Sequence, residues 1–194
     1  MKHVKFFEEF INEQINIKNN VAIFPGRFQP FHNGHIAALK KTSEIYGVPV
    51  IPIQILSKKE KSPFPESLLI KIGQAVQKEF SSWMGDYFLY PQNRKTVIPQ
   101  MVQLLRDNNY YPIAMGAGSD RIKSYERQIV YINSPKSDVP MDVTFKLAMV
   151  DERGEGGPSG TKVRAAITAG DYETFKSMTP KSVHPFYKEL KKYL

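Results

Sequence analysis

His32 and His35 are the side chains in this sequence best suited to chemistry, and they end the segment GRFQPFHNGH, residues 26–35. Imidazole N–H groups are directional donors that can stabilise negative charge as it develops on a phosphoryl group. Gly26 permits the backbone to approach a phosphate closely, and Arg27 supplies a positive charge beside it. We therefore predict that this segment binds phosphate.

The histidine pair also permits two other interpretations. The rings could cap a helix or pack in the core, and Arg27 could be one partner of a structural ion pair. A His-x-x-His pair could also hold a metal ion, although the sequence places no carboxylate at a matching spacing nearby. Cys is absent, which excludes disulfides, thiolate metal sites and cysteine nucleophiles.

The elements on either side of this segment would hold it at the edge of a sheet. Residues 21–24 form an apolar run typical of a buried strand, and residues 36–46 have a helical pattern that ends at Gly47. A turn between a strand and a helix presents free backbone N–H groups and the positive end of the helix dipole to a ligand. The histidines are thus expected where an anion binds well.

Strand and helix patterns alternate along the rest of the chain, with helices opening near Pro65 and Thr96. Further strands are predicted within residues 51–56, 87–90, 111–115 and 143–150. This alternation predicts an α/β fold, a Rossmann-like doubly wound parallel sheet of about five strands with flanking helices. We expect one domain over residues 1–194, with a helical extension at 1–20 and a helical tail at 171–194.

Two more loops follow predicted strands and would reach the same edge of the sheet. Residues 158–164, PSGTKVR, precede an apolar helix start, so Ser159 or Thr161 can cap that helix, and Arg164 can grip a phosphate with its planar fork. Residues 116–120, GAGSD, suit a turn that caps a short helix.

Taken in order along the chain, these segments resemble the HxGH nucleotidyltransferase superfamily. The segment GRFQPFHNGH is most similar to the archaeal-type nicotinamide mononucleotide adenylyltransferases. The segment PSGTKVR is similar to the family's ISSTxxR signature, with Pro158 where the family usually has Ile. Residues 62–66, SPFPE, look like the family's NPFTxxER segment, but Ser67 follows where an arginine is expected, which leaves the acceptor substrate open.

The resemblance also implies which residues act. It implies that four residues are catalytic: His32, His35, Thr161 and Arg164. It implies that a second set binds the nucleotide: Phe24, Gly26, Arg27, Phe28, Gly34, Gly116, Gly118, Ser119, Asp120, Ser159, Gly160 and Lys162.

The reaction implied by the resemblance is transfer of a nucleoside monophosphate from ATP or CTP to a phosphorylated small-molecule acceptor, with release of pyrophosphate. The leading specific expectation is a nicotinamide mononucleotide adenylyltransferase of NAD synthesis. The alternatives are a cytidylyltransferase for a small phosphorylated alcohol and a non-catalytic nucleotide-binding or structural module. Mg²⁺ is expected to arrive with the triphosphate. Self-association into a homo-oligomer is left open, since members of the family are often oligomers.

The composition is that of an ordinary globular protein, with 194 residues of which 41% are hydrophobic and 12% aromatic. The net charge of +8 attracts polyanions, but the lysines are scattered and no nucleic-acid-binding motif is found, so nucleic acid is not expected as a partner. The charged first residues lack the apolar stretch of a secretory signal, and no run is long enough to span a bilayer. We expect a cytoplasmic protein without membrane contact.

Overall fold

The computed structural model describes residues 19–56, 63–90, 98–150 and 157–194, and the helical extension predicted at 1–20 lies almost entirely outside them. Five strands pair in parallel to form one sheet of spatial order β3-β2-β1-β4-β5. Their bounds are β1 Asn20–Gly26, β2 Val50–Ile55, β3 Phe88–Tyr90, β4 Tyr111–Ala117 and β5 Lys146–Met149.

Helices cover both faces of the sheet, which confirms the predicted doubly wound α/β fold. Their bounds are α1 Asn33–Tyr46, α2 Glu66–Glu79, α3 Ile98–Arg106, α4 Ser119–Ile132, α5 Gly160–Ala169, α6 Tyr172–Met178, a 3₁₀ helix Lys181–Phe186 and α7 Tyr187–Lys191. None of the helices in the described ranges is both long enough and apolar enough to cross a membrane.

The sheet separates two hydrophobic cores. On one face, α1, α2, α5 and the helices after Gly170 pack together, and Phe175, Val183 and Leu190 from those last helices are fully buried. On the other face, α3 and α4 pack against residues such as Ile23 and Met115. Burial on both faces explains why the central strands read as continuous apolar runs.

The order of the strands reverses at β1. From β1 the chain builds β2 and β3 on one side, and it then returns to build β4 and β5 on the other side. The carboxyl ends of β1 and β4 therefore lie side by side, with Ile23 opposite Met115 in the ladder. In open α/β sheets a ligand binds in the crevice at such a reversal.

Strand β5 is shorter than the predicted range 143–150 because Asn133 competes for the backbone of Phe145. The Asn133 side-chain Oδ1 accepts the Phe145 N–H at 2.7 Å, and its Nδ2 donates to the Phe145 carbonyl at 2.9 Å. Both backbone groups of Phe145 are thereby occupied, and pairing with β4 starts only at Lys146.

Gly116, in β4, is needed for close packing of α1 against the sheet. A Cβ at this position would overlap the Thr42 side chain and lie 3.0 Å from Cδ2 of Phe24. We expect Gly116→Ala to lower the free energy of unfolding by about 1–3 kcal/mol, as overpacking in a core does. Urea denaturation measures this loss. In a Thr42→Ala background the cost of Gly116→Ala should shrink, and an equal cost in both backgrounds would contradict the packing role.

Candidate active site

The two histidines stand at the beginning of α1. His32 occupies the N-cap position with extended backbone (φ −140°, ψ 166°), and His35 lies in the first turn. Their rings stack with centroids 3.5 Å apart and an angle of 26° between the planes. The His32 side chain is 3% exposed, whereas His35 is only half-buried, so His35 is the imidazole that a ligand can reach more readily.

The orientation of the His35 ring is set by a backbone contact. The His32 N–H donates to Nδ1 of His35 at 3.4 Å. Because Nδ1 accepts this hydrogen bond, a neutral His35 ring carries its proton on Nε2. The capping role considered from the sequence is therefore real, and it leaves the opposite ring nitrogen of His35 as a donor.

Aromatic rings pack against the His35 ring. The His35 ring meets the Phe28 ring edge to face, with centroids 5.0 Å apart, and Phe28 stacks on Phe31 at 4.3 Å. The Phe28 ring is fully buried and the Phe24 ring is 7% exposed. The structure packs both rings in the core, and the contact of these two residues with nucleotide stays a prediction.

The second motif joins the first through Arg164. Its Nη1 donates to the carbonyl oxygen of Gln29 at 2.8 Å, and its Nη2 lies 3.4 Å from Oγ1 of Thr161. The sequence offers Ser159 or Thr161 as the cap of α5, and the structure shows Ser159 in that role, because its Oγ accepts the Lys162 N–H at 3.3 Å. The structure thus brings together two motifs that lie at opposite ends of the sequence.

The site carries positive charge. Burial lowers the pKa of Arg164 from its ordinary value, and repulsion from Arg27 lowers it further. Within the described ranges neither guanidinium forms an ion pair with a carboxylate. An anion bound beside these two neighbouring cations would relieve their repulsion.

Two glycines allow the motifs to approach this closely. A Cβ at Gly160 would lie 3.1 Å from the Gln29 carbonyl oxygen and 3.2 Å from Nη1 of Arg164, so a side chain there would crowd the contact between them. A Cβ at Gly34 would lie 3.2 Å from the His32 ring and 3.4 Å from the Pro158 carbonyl oxygen.

The remaining predicted nucleotide-binding residues lie at the same edge of the sheet. Gly26 ends β1, and the exposed Arg27 follows it. Gly118 is the N-cap of α4, whose first residues are Ser119 and Asp120. The exposed side chain of Lys162 donates to the Gly157 carbonyl at 3.3 Å. Gly116 faces Thr42 and Phe24, so the structure gives it a packing role, and its contact with nucleotide stays a prediction.

A metal site made of protein side chains is not found in the described part of the chain, where no group of three or more His, Asp or Glu side chains is placed to hold an ion. The groups around the two motifs are mostly donors and cations. Groups of this kind bind phosphate, so a Mg²⁺ ion would be held there by phosphate oxygens and water rather than by these side chains.

One surface cavity, of about 360 Å³, lies elsewhere, between the end of α4 and the start of β5. It is lined by Asn133, Ser134 and Asp142 among others and contains none of the predicted site residues. It lies before the first residue of β5, at the amino end of that strand, whereas the two motifs lie beyond carboxyl ends. Its lining groups offer no pair of titratable side chains, so the motifs remain the candidate site.

Two residues of the site, Gln29 and Asn33, were missed from the sequence although both lie inside the first motif. Gln29 acts through its backbone carbonyl, which any residue type possesses, so no pattern could reveal it. Asn33 donates from Nδ2 to the Ser177 carbonyl at 3.0 Å. Its position between the two histidines was the available signal, but its partner lies 144 residues away along the chain.

Comparison with known proteins shows the family and the fold of the chain. A family model described as cytidylyltransferase-like matches residues 23–166. The phosphopantetheine adenylyltransferase of Leptospira biflexa serovar Patoc is 33% identical over 64 residues, which cover 33% of this chain and 38% of that protein. The match thus spans well under half the length of this curated relative.

Two solved structures share the fold across most of the chain. The nicotinic acid mononucleotide adenylyltransferase of Plasmodium falciparum, complexed with NaAD, has a TM-score of 0.60 and 16% identity, over 91% of this chain and 98% of that one. A Vibrio parahaemolyticus protein assigned as a nicotinate-nucleotide adenylyltransferase has a TM-score of 0.60 and 13% identity, over 88% of this chain and 99% of that one.

The family match includes the whole first motif, residues 26–35, and the whole second motif, residues 158–164. It also covers four of the five strands in full and β1 from Ile23 onward. The chain therefore belongs to the cytidylyltransferase-like family of nucleotidyltransferases.

Proposed function

We propose that this chain transfers a nucleoside monophosphate from a nucleoside triphosphate to a phosphorylated acceptor and releases pyrophosphate. The observation that carries the proposal is the 2.8 Å contact between Arg164 and the Gln29 carbonyl, which places the second motif beside the histidines. The positive charge of the arginines, the N-termini of α1 and α5 and the half-buried imidazole of His35 then lie together at the reversal of the sheet. That combination suits a triphosphate.

In the proposed reaction an acceptor phosphate oxygen attacks the α-phosphorus in line with the leaving group. The bond from the α-phosphorus to the oxygen that bridges it to the β-phosphate breaks, and pyrophosphate leaves with that electron pair. Such a step needs positioning and charge stabilisation rather than a protein nucleophile. Mg²⁺ bound to the triphosphate neutralises part of its charge.

The residues divide this work between the two ends of the triphosphate. His35 donates from Nε2 to an oxygen of the α-phosphate, where negative charge increases in the transition state. Arg164 uses two of its five N–H groups in contacts with described residues, and it holds the departing pyrophosphate with other N–H groups. The N-terminus of α5, capped by Ser159, binds the β- and γ-phosphates. Thr161 keeps the guanidinium of Arg164 turned toward them.

Adenylyl transfer to nicotinamide mononucleotide is our leading assignment of substrates. The similarity of residues 26–35 to archaeal-type enzymes supports it, as do the names of the two solved neighbours, which refer to a nicotinic acid mononucleotide and a nicotinate nucleotide. The description of the matching family favours a second candidate, cytidylyl transfer to a small phosphorylated alcohol. A cytoplasmic location would suit either reaction.

Pyrophosphate release tests the proposal. The full chain with Mg²⁺ is given ATP, CTP, GTP or UTP, each with nicotinamide mononucleotide, nicotinic acid mononucleotide, 4′-phosphopantetheine or glycerol phosphate. We expect release with one nucleotide and one acceptor, stoichiometric with the adduct detected by mass spectrometry, and none when EDTA removes Mg²⁺.

The same experiment separates the candidates. Release that needs CTP and glycerol phosphate would replace the leading assignment by the second candidate. Release without any acceptor would indicate hydrolysis instead of transfer. Nucleotide binding by calorimetry with no release from any pair would favour the non-catalytic module over the proposed enzyme.

A further inference from the structure

Asn33, which lies between His32 and Gly34 in the first motif, contacts the C-terminal part of the chain. Asn33 is the first residue of α1, and its Nδ2 donates to the carbonyl oxygen of Ser177 at 3.0 Å. Ser177 lies in the last turn of α6, Tyr172–Met178, beyond the residues 23–166 that match the family. The contact therefore joins the first motif to a segment that the family model does not cover.

The Ser177 carbonyl is a suitable partner because of where it lies in its helix. The last four carbonyl groups of a helix have no intrahelical N–H to accept. Near the end of α6, the Phe175 carbonyl accepts a hydrogen bond from Oγ1 of Thr179 at 2.8 Å. The Asn33 amide gives the Ser177 carbonyl a partner in the same way, so the contact satisfies both groups.

Helix α6 is a firm support for this contact. Phe175, on its buried side, is fully buried in the core beneath α1 and α5. The 3₁₀ helix that follows is tied to α2, because a Glu79 carboxylate oxygen accepts the Ser182 N–H at 2.8 Å. Asn33 therefore connects the start of α1 to a segment that is itself anchored at two places.

We propose that Asn33 is a positioning residue, through which α6 fixes the first turn of α1 and with it the two imidazoles. His32 immediately precedes Asn33, and His35 lies two residues after it in the same turn. If the first turn tilts, the His32 N–H contact to Nδ1 of His35 lengthens from 3.4 Å and the His35 ring loses its orientation. A small displacement of a catalytic group lowers the reaction rate strongly and changes the free energy of unfolding little.

The test of its effect on rate rests on the proposed function and uses the full chain with its best substrate pair. We expect Asn33→Ala to lower kcat about 10-fold while KM for both substrates changes less than about 2-fold. Asn33→Asp has nearly the same shape but no donor, so it should lose as much. The thermal midpoint should change little, because the contact is exposed at the surface.

Ser177→Ala is the matched control. The Ser177 Oγ donates to the Thr174 carbonyl, and its removal leaves the Ser177 backbone carbonyl in place for Asn33. This variant should keep the wild-type kcat. A loss as large as that of Asn33→Ala would contradict the proposal, and so would a wild-type kcat for both Asn33 variants.

A second measurement does not need turnover. In ¹⁵N-histidine-labelled protein we expect Asn33→Ala to shift the imidazole signals of His32 and His35 and to leave that of His184 in place. Unchanged His32 and His35 signals would overturn the proposal even if no substrate pair is turned over. Shifted signals in a protein without turnover would count against the proposed function alone.

Discussion

We expect the His35→Ala variant to turn over about 10³-fold more slowly than the wild type while its fold is retained. His35 is half-buried, and its Nδ1 already accepts the His32 N–H, so its Nε2 donor is directed away from the helix backbone. The donor contributes most when negative charge increases on the α-phosphate in the transition state. The loss should therefore fall on kcat rather than on KM.

Steady-state kinetics with the best substrate pair measures this effect. His184→Ala is a matched control, because His184 contacts the Thr179 carbonyl in the tail and lies outside the two motifs. That variant should keep its turnover. A His35→Ala enzyme within 10-fold of the wild-type kcat would contradict the proposed mechanism and leave His35 as a helix-capping residue only.

Arg164→Ala should weaken binding of the triphosphate about 10- to 100-fold, the range for a lost charge-assisted hydrogen bond. The substitution also removes the hydrogen bond from Arg164 to the Gln29 carbonyl, so the two motifs should separate slightly. Arg164→Lys keeps the charge but lacks the planar fork. A lysine cannot hold both the Gln29 carbonyl and pyrophosphate in that geometry. The affinity of Arg164→Lys for the triphosphate should therefore lie between those of the wild type and Arg164→Ala.

Calorimetric titration with the Mg²⁺ complex of the preferred nucleotide checks this expectation. Arg127→Ala controls for net charge, since Arg127 is exposed on α4 and belongs to neither motif. Its affinity should stay near that of the wild type. Equal affinity of Arg164→Ala and wild type would show that PSGTKVR is a helix cap without a role in binding.

Local patterns predicted several elements well because the forces involved act over a few residues. The helix that ends at Gly47 does so in the left-handed conformation (φ 65°), which glycine adopts at little cost. Ser159 caps α5 through an N–H only three residues away. The apolar runs of β1 and β4 needed no partner to be recognised, since burial on both faces imposes them.

Two other features were misjudged from the sequence, one because a distant residue decided it and one because charged residues hid an apolar face. The sequence indicated a strand that begins at residue 143, but the Asn133 amide occupies the backbone of Phe145. The segment after GAGSD suggested a short helix, whereas α4 runs for 14 residues with Tyr125, Ile129 and Ile132 buried against the sheet. Many charged residues in α4 obscured that apolar face.

The sequence by itself determined the residue types of the site and the turns that present them. The spacing of the two histidines is a property of the sequence itself. The Ser159 cap and the α/β alternation follow from interactions between near neighbours. Only the tertiary structure decided that Arg164 holds the Gln29 carbonyl and that Asn33 holds Ser177, contacts that join residues 135 and 144 positions apart. Such pairs form because strand pairing and core packing close long loops, and that free energy belongs to the whole fold rather than to any local segment.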